Sequence, residues 1–276
     1  MIKIFISVRN RLAITKKCIE SIRRHSDLPH QIYVYDNATN YRLDEHFKYF
    51  SKMYSKGVVS QICFTSEETT FNAFSKASTC NFFGQQHNQD PNKDNYDFLL
   101  MLDNDIILLP HWDSKLKQAW KYVNKNKLNN IKVIGQRPGG IKHIDKTASH
   151  KVGDIDARIG KLGGSGLWSV RPNFFKDVGF LNLSSLVGHD KKHDQHYWIL
   201  MERSSGGKPY IMGLQTKLGI HTGPAAGSVC NKLNKNRGAS NKAELIRFEG
   251  QEQKIDSMSF EEFMSFIKQR RLDRGW

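Results

Sequence analysis

Cysteine is sparse in this chain: Cys18, Cys63, Cys80 and Cys230 are scattered, with no CxxC pair among them. That argues against a disulfide framework or a cysteine zinc site and reads as reduced core thiols of a cytoplasmic protein. No apolar run exceeds strand length, so the sequence offers no transmembrane helix and no signal peptide. No Gly-Lys-Ser/Thr follows its glycine-rich stretch, which excludes a Walker phosphate loop, and there is no internal repeat. Acid is also short. Against 42 Lys and Arg stand 27 Asp and Glu, a net charge of +15 over 276 residues. Such a surface attracts a nucleotide diphosphate, an anionic membrane or a nucleic acid, and a merely lysine-rich solvated face gives the same count.

What is present is the raw material of a folded α/β chain. An apolar content of 38%, with 16 Phe and 9 Tyr, is too high for disorder. The length allows one large domain or two small ones. Charge is unevenly placed: residues 51–110 hold 4 basic and 7 acidic residues, whereas residues 111–160 hold 11 and 4. A local acidic site therefore stands beside a strongly basic stretch.

The acidic site is most legible in Phe98-Leu99-Leu100-Met101-Leu102-Asp103-Asn104-Asp105. Five apolar residues ending in two carboxylates read as a buried parallel strand with acid at its carboxyl end. In open α/β sheets that end is where ligands sit. Asp103 and Asp105 repel one another unless a cation or proton intervenes. A hard divalent cation shared with the oxygens of a diphosphate would resolve the conflict. The plainer account is a strand followed by an acidic turn, with Asp105 capping the next element.

Upstream, residues 2–8 (IKIFISV) read as a first strand, Arg9-Asn10-Arg11 as a polar break, and the stretch to about His25 as a helix. In that helix Ile14, Cys18, Ile19 and Ile22 share one face. Residues 31–35 form a second strand, followed at once by Asp36-Asn37-Ala38-Thr39-Asn40, which makes a βαβ unit with parallel neighbours. Asp36 at that strand end suits a nucleoside, and suits an Asx-turn equally well. A third strand is expected at 58–64 and a helix at 70–83. Beyond the acidic motif comes a helix from Asp113, with Leu116, Trp120 and Val123 inward and Lys115, Lys117, Lys121, Lys125 and Lys127 outward, then a short strand at 131–134.

Residues 135–166 read as a long functional loop ending in Gly163-Gly164-Ser165-Gly166. A strand at 167–170, a helix at 173–178, a helix at 197–203 and strands at 210–212 and 218–221 complete the body. The stretch 223–257 reads as a polar tail. Ser259 and Glu262 form a capping box that opens a last amphipathic helix to about Arg271. His189-Asp190-Lys191-Lys192-His193 has the histidine spacing of a zinc-hydrolase HExxH helix. Gly188 and three consecutive charges make a poor start for such a helix.

In this order the pieces resemble the GT-A glycosyltransferases of the family 2 type, over about four fifths of the chain. Asn10-Arg11 after the first strand is similar to the family's Pro-x-Tyr-Asn-Arg, with Ser7 and Arg9 in place of the Pro and Tyr. Asp36-Asn37-Ala38-Thr39-Asn40 resembles its nucleoside loop, and Asp103-Asn104-Asp105 its DxD metal motif. More loosely, Gly163-Gly164, Arg171 and Gly179-Phe180 are similar to a later glycine-rich segment, with Leu181-Asn182 replacing its acidic pair.

The resemblance implies an α/β fold of GT-A (Rossmann-like) kind: a mostly parallel central sheet flanked by helices, with a C-terminal helical extension. Residues 1–222 would be the transferase domain, 1–110 its nucleotide-sugar half and 111–222 its acceptor half, with 223–276 a basic polar tail ending in a helix. The implied activity is metal-dependent, inverting transfer of a sugar from a nucleotide diphosphate, most simply a UDP-sugar, to an acceptor hydroxyl. Ser7, Arg9, Asn10, Arg11, Asp36, Asp103 and Asn104 would face the donor. Asp105, Asp103 and His221 would hold Mn2+ or Mg2+, and Asp194 or Asp190 would act as base. The acceptor implied is a glycan or lipid-linked sugar, the setting cytoplasmic or peripheral at an anionic surface. The basic stretch keeps nucleic acid open as a partner, through a transferase for hydroxylated DNA bases or a non-catalytic binding protein of the same fold. Part of its charge is expected to border the acceptor side.

Overall fold

The computed structural model describes residues 1–37, 39, 41–65, 75–136, 144–161, 166–181, 193–222 and 242–272. The first half lays down β1 (Ile2–Val8), α1 (Leu12–His25), β2 (His30–Asn37), α2 (Leu43–Ser55), β3 (Gln61–Thr65), α3 (Ser75–Gln89), β4 (Phe98–Asp103) and β5 (Ile106–Leu108). Then come α4 (Trp112–Lys125), β6 (Val133–Gln136), β7 (Ile144–Val152), β8 (Ile155–Gly160), β9 (Leu167–Val170), α5 (Phe174–Val178) and α6 (His193–Ser204). The chain closes with β10 (Ile211–Leu214), β11 (Gly219–His221), α7 (Lys242–Ser257) and α8 (Phe260–Leu272).

Among the described residues, nine strands form one sheet in the order β3-β2-β1-β4-β9-β6-β10-β8-β7. β3, β2, β1 and β4 are mutually parallel, and the ladders beyond reverse only β9 and β8, so seven of the nine strands run one way. The sheet is therefore mostly parallel, as GT-A folds are. β11 pairs with β5 in a separate two-stranded ribbon.

Strand alternation sends side chains to two helix layers. Ile2, Ile4, Ile6 and Val8 of β1, with Phe98, Leu100 and Leu102 of β4, pack against Ile14, Cys18 and Ile22 of α1 and Leu116 and Trp120 of α4. Phe5, Leu99 and Met101 face the other way, onto Phe83 of α3, Phe174 and Phe175 of α5 and Tyr197 and Met201 of α6. Every residue of β1 is buried, as a central parallel strand requires.

Three expectations give way here. The helix α2 escaped the sequence reading because only His46 and Phe50 of its residues are buried, while Leu43, Phe47 and Tyr54 stay exposed. The supposed loop 135–166 contains the antiparallel hairpin β7–β8, turned at Gly153-Asp154 with Val152 opposite Ile155. Gly153 takes φ 64, the left-handed value a two-residue hairpin turn needs. The polar tail contains α7, whose Ile255 joins Phe260, Phe263 and Ile267 of α8 in the core. The capping box is present: Glu262 N–H donates to Ser259 Oγ at 3.2 Å, and Ser259 N–H to Glu262 Oε2 at 2.7 Å.

At the amino ends of the strands, Lys3 is only 4% exposed. Its ammonium pairs with Asp90, lies 3.4 Å from His87 Nδ1 and sits 4.5 Å from the Tyr96 ring centroid. The Lys3 hydrogen bond first, and then the Asn92 N–H, hold the Asp90 carboxyl below its ordinary 3.8. Asp90→Asn strands that ammonium and is expected to cost about 3 kcal/mol in urea unfolding, which the pair Lys3→Met/Asp90→Leu recovers in large part. Because the folded value is depressed, this contribution is present above pH 3.8 and disappears as pH falls through the lower folded value.

Candidate active site

The strand order changes direction between β1 and β4, and the register there decides what meets. Ser7 of β1 lies opposite Asp103 of β4, and Val8 lies opposite Asp36 of β2. Three segments separated in sequence, 7–11, 36–39 and 103–105, thus emerge at adjacent strand ends, the ligand position of open α/β sheets. Gly166 enters beside them. Its carbonyl accepts the Asp103 N–H at 2.9 Å, and a Cβ on it would stand 3.3 Å from Asp103 Oδ2 and 2.8 Å from the Ile106 side chain.

Between β1 and α1 the chain takes two left-handed residues in succession, Asn10 (φ 50) and Arg11 (φ 67). Asn10 is nearly buried and ties two loops: its N–H donates to Thr39 Oγ1 at 3.0 Å, and its Oδ1 accepts the Tyr41 N–H at 3.1 Å. Arg11 is directed to the acidic motif, with Nη1 2.8 Å from Asp105 Oδ2. The cation expected between the two carboxylates is thus, in part, a side chain of the protein itself.

Asp105 is held from all sides. Its second oxygen, Oδ1, lies 3.4 Å from His221 Nε2, and its backbone carbonyl accepts both the N–H (2.8 Å) and the hydroxyl (2.9 Å) of Thr222. The β5–β11 ribbon makes this meeting, since His221 pairs with Ile106. Asn104 turns away from the site and donates to Thr15 Oγ1 at 2.8 Å. Cys18 lies beneath, its thiol pushed strongly up by burial and by the charges of Asp105 and Asp103, an inert core thiol as its sequence context suggests.

Asp36 shapes its own loop. Its Oδ1 accepts the Thr39 N–H at 3.0 Å and its Oδ2 lies 3.0 Å from His46 Nδ1, with both residues 1% exposed. The turn role weighed for Asp36 is therefore in place, with His46 as a partner from a helix the sequence reading lacked. Next to it Asn37 is fully buried, and neither end of its amide is hydrogen bonded. Such a group carries a desolvation cost that a further partner would relieve. A remote residue also reaches this end: Glu252 of α7 accepts the Ala13 N–H at 2.9 Å and so caps α1, which lacks a capping side chain at Arg11. Burial, the largest influence, raises the Glu252 carboxyl.

Other expected members are not brought here. Arg171 follows the end of β9 paired with Leu99, away from Asp103, and stacks 5.5 Å from the Trp120 ring. The basic helix α4 lies toward the amino ends of the strands. Trp112 packs on Phe98, Asp113 accepts the N–H groups of Asp27 and Leu28, and Lys117 pairs with Asp97 at 2.8 Å. Of the basic stretch 111–160, part of whose charge is expected to border the acceptor side, α4 is anchored about six residues, roughly 20 Å of strand, from Asp103. Ala38, Asn40, Gly163, Gly164, Asn182, Asp190 and the His189 to Lys192 segment lie outside the described residues, as do the side chains of His193 and Asp194.

Among the described residues no three His, Cys, Asp or Glu side chains form a closed metal cage. The donor set still fits a divalent cation that shares its shell with a ligand: carboxylates at a strand end and a half-exposed imidazole.

Among the described residues, a nine-stranded α/β sheet with helices on both faces and paired carboxylates at its switch point has the architecture of a GT-A fold. No family model matches the chain, and no curated protein sequence matches it. Solved structures of glycosyltransferases are similar to it. The S. aureus TarS segment 1–349 in complex with UDP-GlcNAc has a TM-score of 0.50 at 13% identity, covering 99% of this chain and 72% of that one. Mannosyltransferase PcManGT from Pyrobaculum calidifontis, solved with GDP-Man and Mn2+, has a TM-score of 0.47 at 10% identity, covering 99% and 74%. At such identities what is shared is the fold.

Two stability measurements check this geometry. Asp105→Asn takes from the Arg11 guanidinium, 13% exposed, the charged carboxylate that lies 2.8 Å from it. It is expected to lower the metal-free melting temperature by several degrees, about 2 kcal/mol, where simple relief of Asp103–Asp105 repulsion would raise it. Glu252→Ala removes the α1 cap and is expected to cost about 1 kcal/mol, with Glu252→Gln closer to the parent.

Proposed function

We propose that this chain is a nucleotide-sugar-dependent glycosyltransferase of the family 2 type, transferring a sugar with inversion from a UDP-sugar to an acceptor hydroxyl. The observation that carries the reading is Asp105, set beside Asp103 at the β1/β4 switch point with His221 3.4 Å from its open oxygen. The shared fold with a UDP-GlcNAc-bound transferase supports the donor class.

In this reading the 7–11 and 36–39 segments frame the nucleoside, and Asp103 orients the ribose or the cation. Asp105 and His221 hold Mn2+ or Mg2+, which when bound supplies positive charge to the departing diphosphate. The chain's own residues do the rest. The base is assigned to Asp194, in the first turn of α6. The direction of that helix supports the choice: Tyr197 packs 5.9 Å from Trp168, which pairs with Met101, whereas Ser204 donates to the Asp177 carbonyl beyond the far end of β9. The amino end of α6 therefore points toward the carboxyl end of the sheet, where Asp103 lies. Residues 1–110 serve the donor and 111–222 the acceptor, a glycan or lipid-linked sugar. Lys117 of α4, paired with Asp97 at the other end of the strands, lends a nucleic-acid partner no support.

The test is a donor-hydrolysis and transfer screen of sugar nucleotides with Mn2+. Asp105→Asn should abolish turnover, and Asp194→Asn should lower kcat by ~10²-fold or more with little change in donor affinity. Full turnover in Asp105→Asn, or UDP binding unaffected by EDTA, would refute the assignment.

A further inference from the structure

Arg11 occupies one oxygen of the carboxylate to which the proposed activity assigns the metal. Its guanidinium lies 2.8 Å from Asp105 Oδ2, with side-chain exposures of 13% and 9%. The pair is braced on both flanks. The Arg11 carbonyl accepts the N–H (3.0 Å) and hydroxyl (2.8 Å) of Thr15, and the Thr15 hydroxyl in turn accepts the Asn104 amide at 2.8 Å. Residues 10–15 and 104–105 are therefore tied to one another around the ion pair, with Arg11 held at φ 67.

This pairing sets a charge balance. With Oδ2 bound to a guanidinium, Asp105 offers an incoming divalent cation only Oδ1, beside His221. The cation also meets the positive charge of Arg11 at close range, in a partly desolvated setting where repulsion is strong. A diphosphate reverses the balance. Its oxygens match the guanidinium fork and bring negative charge to both cations.

We propose that Arg11 is a charge lock on the donor site. Without donor it neutralises Asp105 and keeps divalent-cation affinity low. A nucleoside diphosphate draws the guanidinium to its own oxygens, releasing Asp105 Oδ2 to the cation, so that donor and cation load as a coupled pair. The inference rests on the reading of Asp105 as a metal carboxylate. By linkage the coupling is reciprocal, so the cation must raise diphosphate affinity by the same factor.

The experiment titrates Mn2+ into the full chain and reads free Mn2+ by its paramagnetic resonance signal, with and without saturating UDP. Four proteins are compared: the parent, Arg11→Gln, Arg11→Lys and Asp105→Asn. In the parent, UDP should tighten Mn2+ binding by ~10-fold or more. Arg11→Gln should bind Mn2+ alone ~10-fold tighter than the parent and lose most of the gain from UDP. Arg11→Lys keeps the charge without the fork, so it should bind Mn2+ alone about as the parent does while the UDP gain shrinks to about fivefold or less. It also carries the test if circular dichroism shows Arg11→Gln to be unfolded. If Arg11→Gln binds Mn2+ no tighter than the parent while Asp105→Asn abolishes binding, the lock is overturned and the metal site stands. If Mn2+ does not bind the parent even with UDP, the metal reading and the lock fall together.

Discussion

The parallel pairing of β1 with β2 on one edge and β4 on the other sets nearly everything at the ligand end. Seven consecutive residues of β1 are buried, and each edge is bonded to a strand running the same way. A slip of one residue would swap its inward and outward faces, which both helix layers forbid. The carboxyl ends of the three strands are therefore level with one another, and what each carries next is forced into one place. Asp36, Asp103 and the Asn10-Arg11 turn meet for that reason, and their meeting needs no attraction among the groups themselves.

The polar groups gathered there are held by the backbone more than by one another. Thr222 clasps the Asp105 carbonyl, Gly166 receives the Asp103 amide, and Thr39 receives that of Asn10. The Asp105 carboxylate is thus left to meet Arg11 on one oxygen and His221 on the other. Two successive left-handed residues without glycine cost of order 1 kcal/mol or more each. The core that β1 and α1 share is large enough to sustain that local strain.

Much of this was legible beforehand wherever one element announces itself. The run Ile2–Val8 is continuous and apolar, the run ending in Asp103 likewise, and the Ser259/Glu262 box states its own helix start. The elements that escaped reading lack a one-sided pattern. α2 exposes three of its large apolar side chains, and β7 has little alternation, although the alternating burial of Ile155, Ala157 and Ile159 around a Gly-Asp turn was a usable signal for the hairpin. Contacts across long separations were beyond local pattern altogether. His221 comes to Asp105 through a ribbon of three residues per strand, His46 reaches Asp36 from an unrecognised helix, and Arg11 finds Asp105 only because its backbone turns left-handed.

The bond from Ala13 to Glu252 joins residues 239 apart, so the helix that leads out of the Asn10-Arg11 turn is capped from α7. On a ribosome, β1, α1, β2 and β4 would all be exposed to the cytosol or a chaperone well before residues 242–272 leave the exit tunnel. Until then the first turn of α1 has an unsatisfied amide, and its last turn lacks Phe260, which packs on Arg24 and His25. The site is thus completed late in synthesis, and a ribosome that stalls past β11 releases a sheet with its carboxylates in register but the turn beside them unsecured.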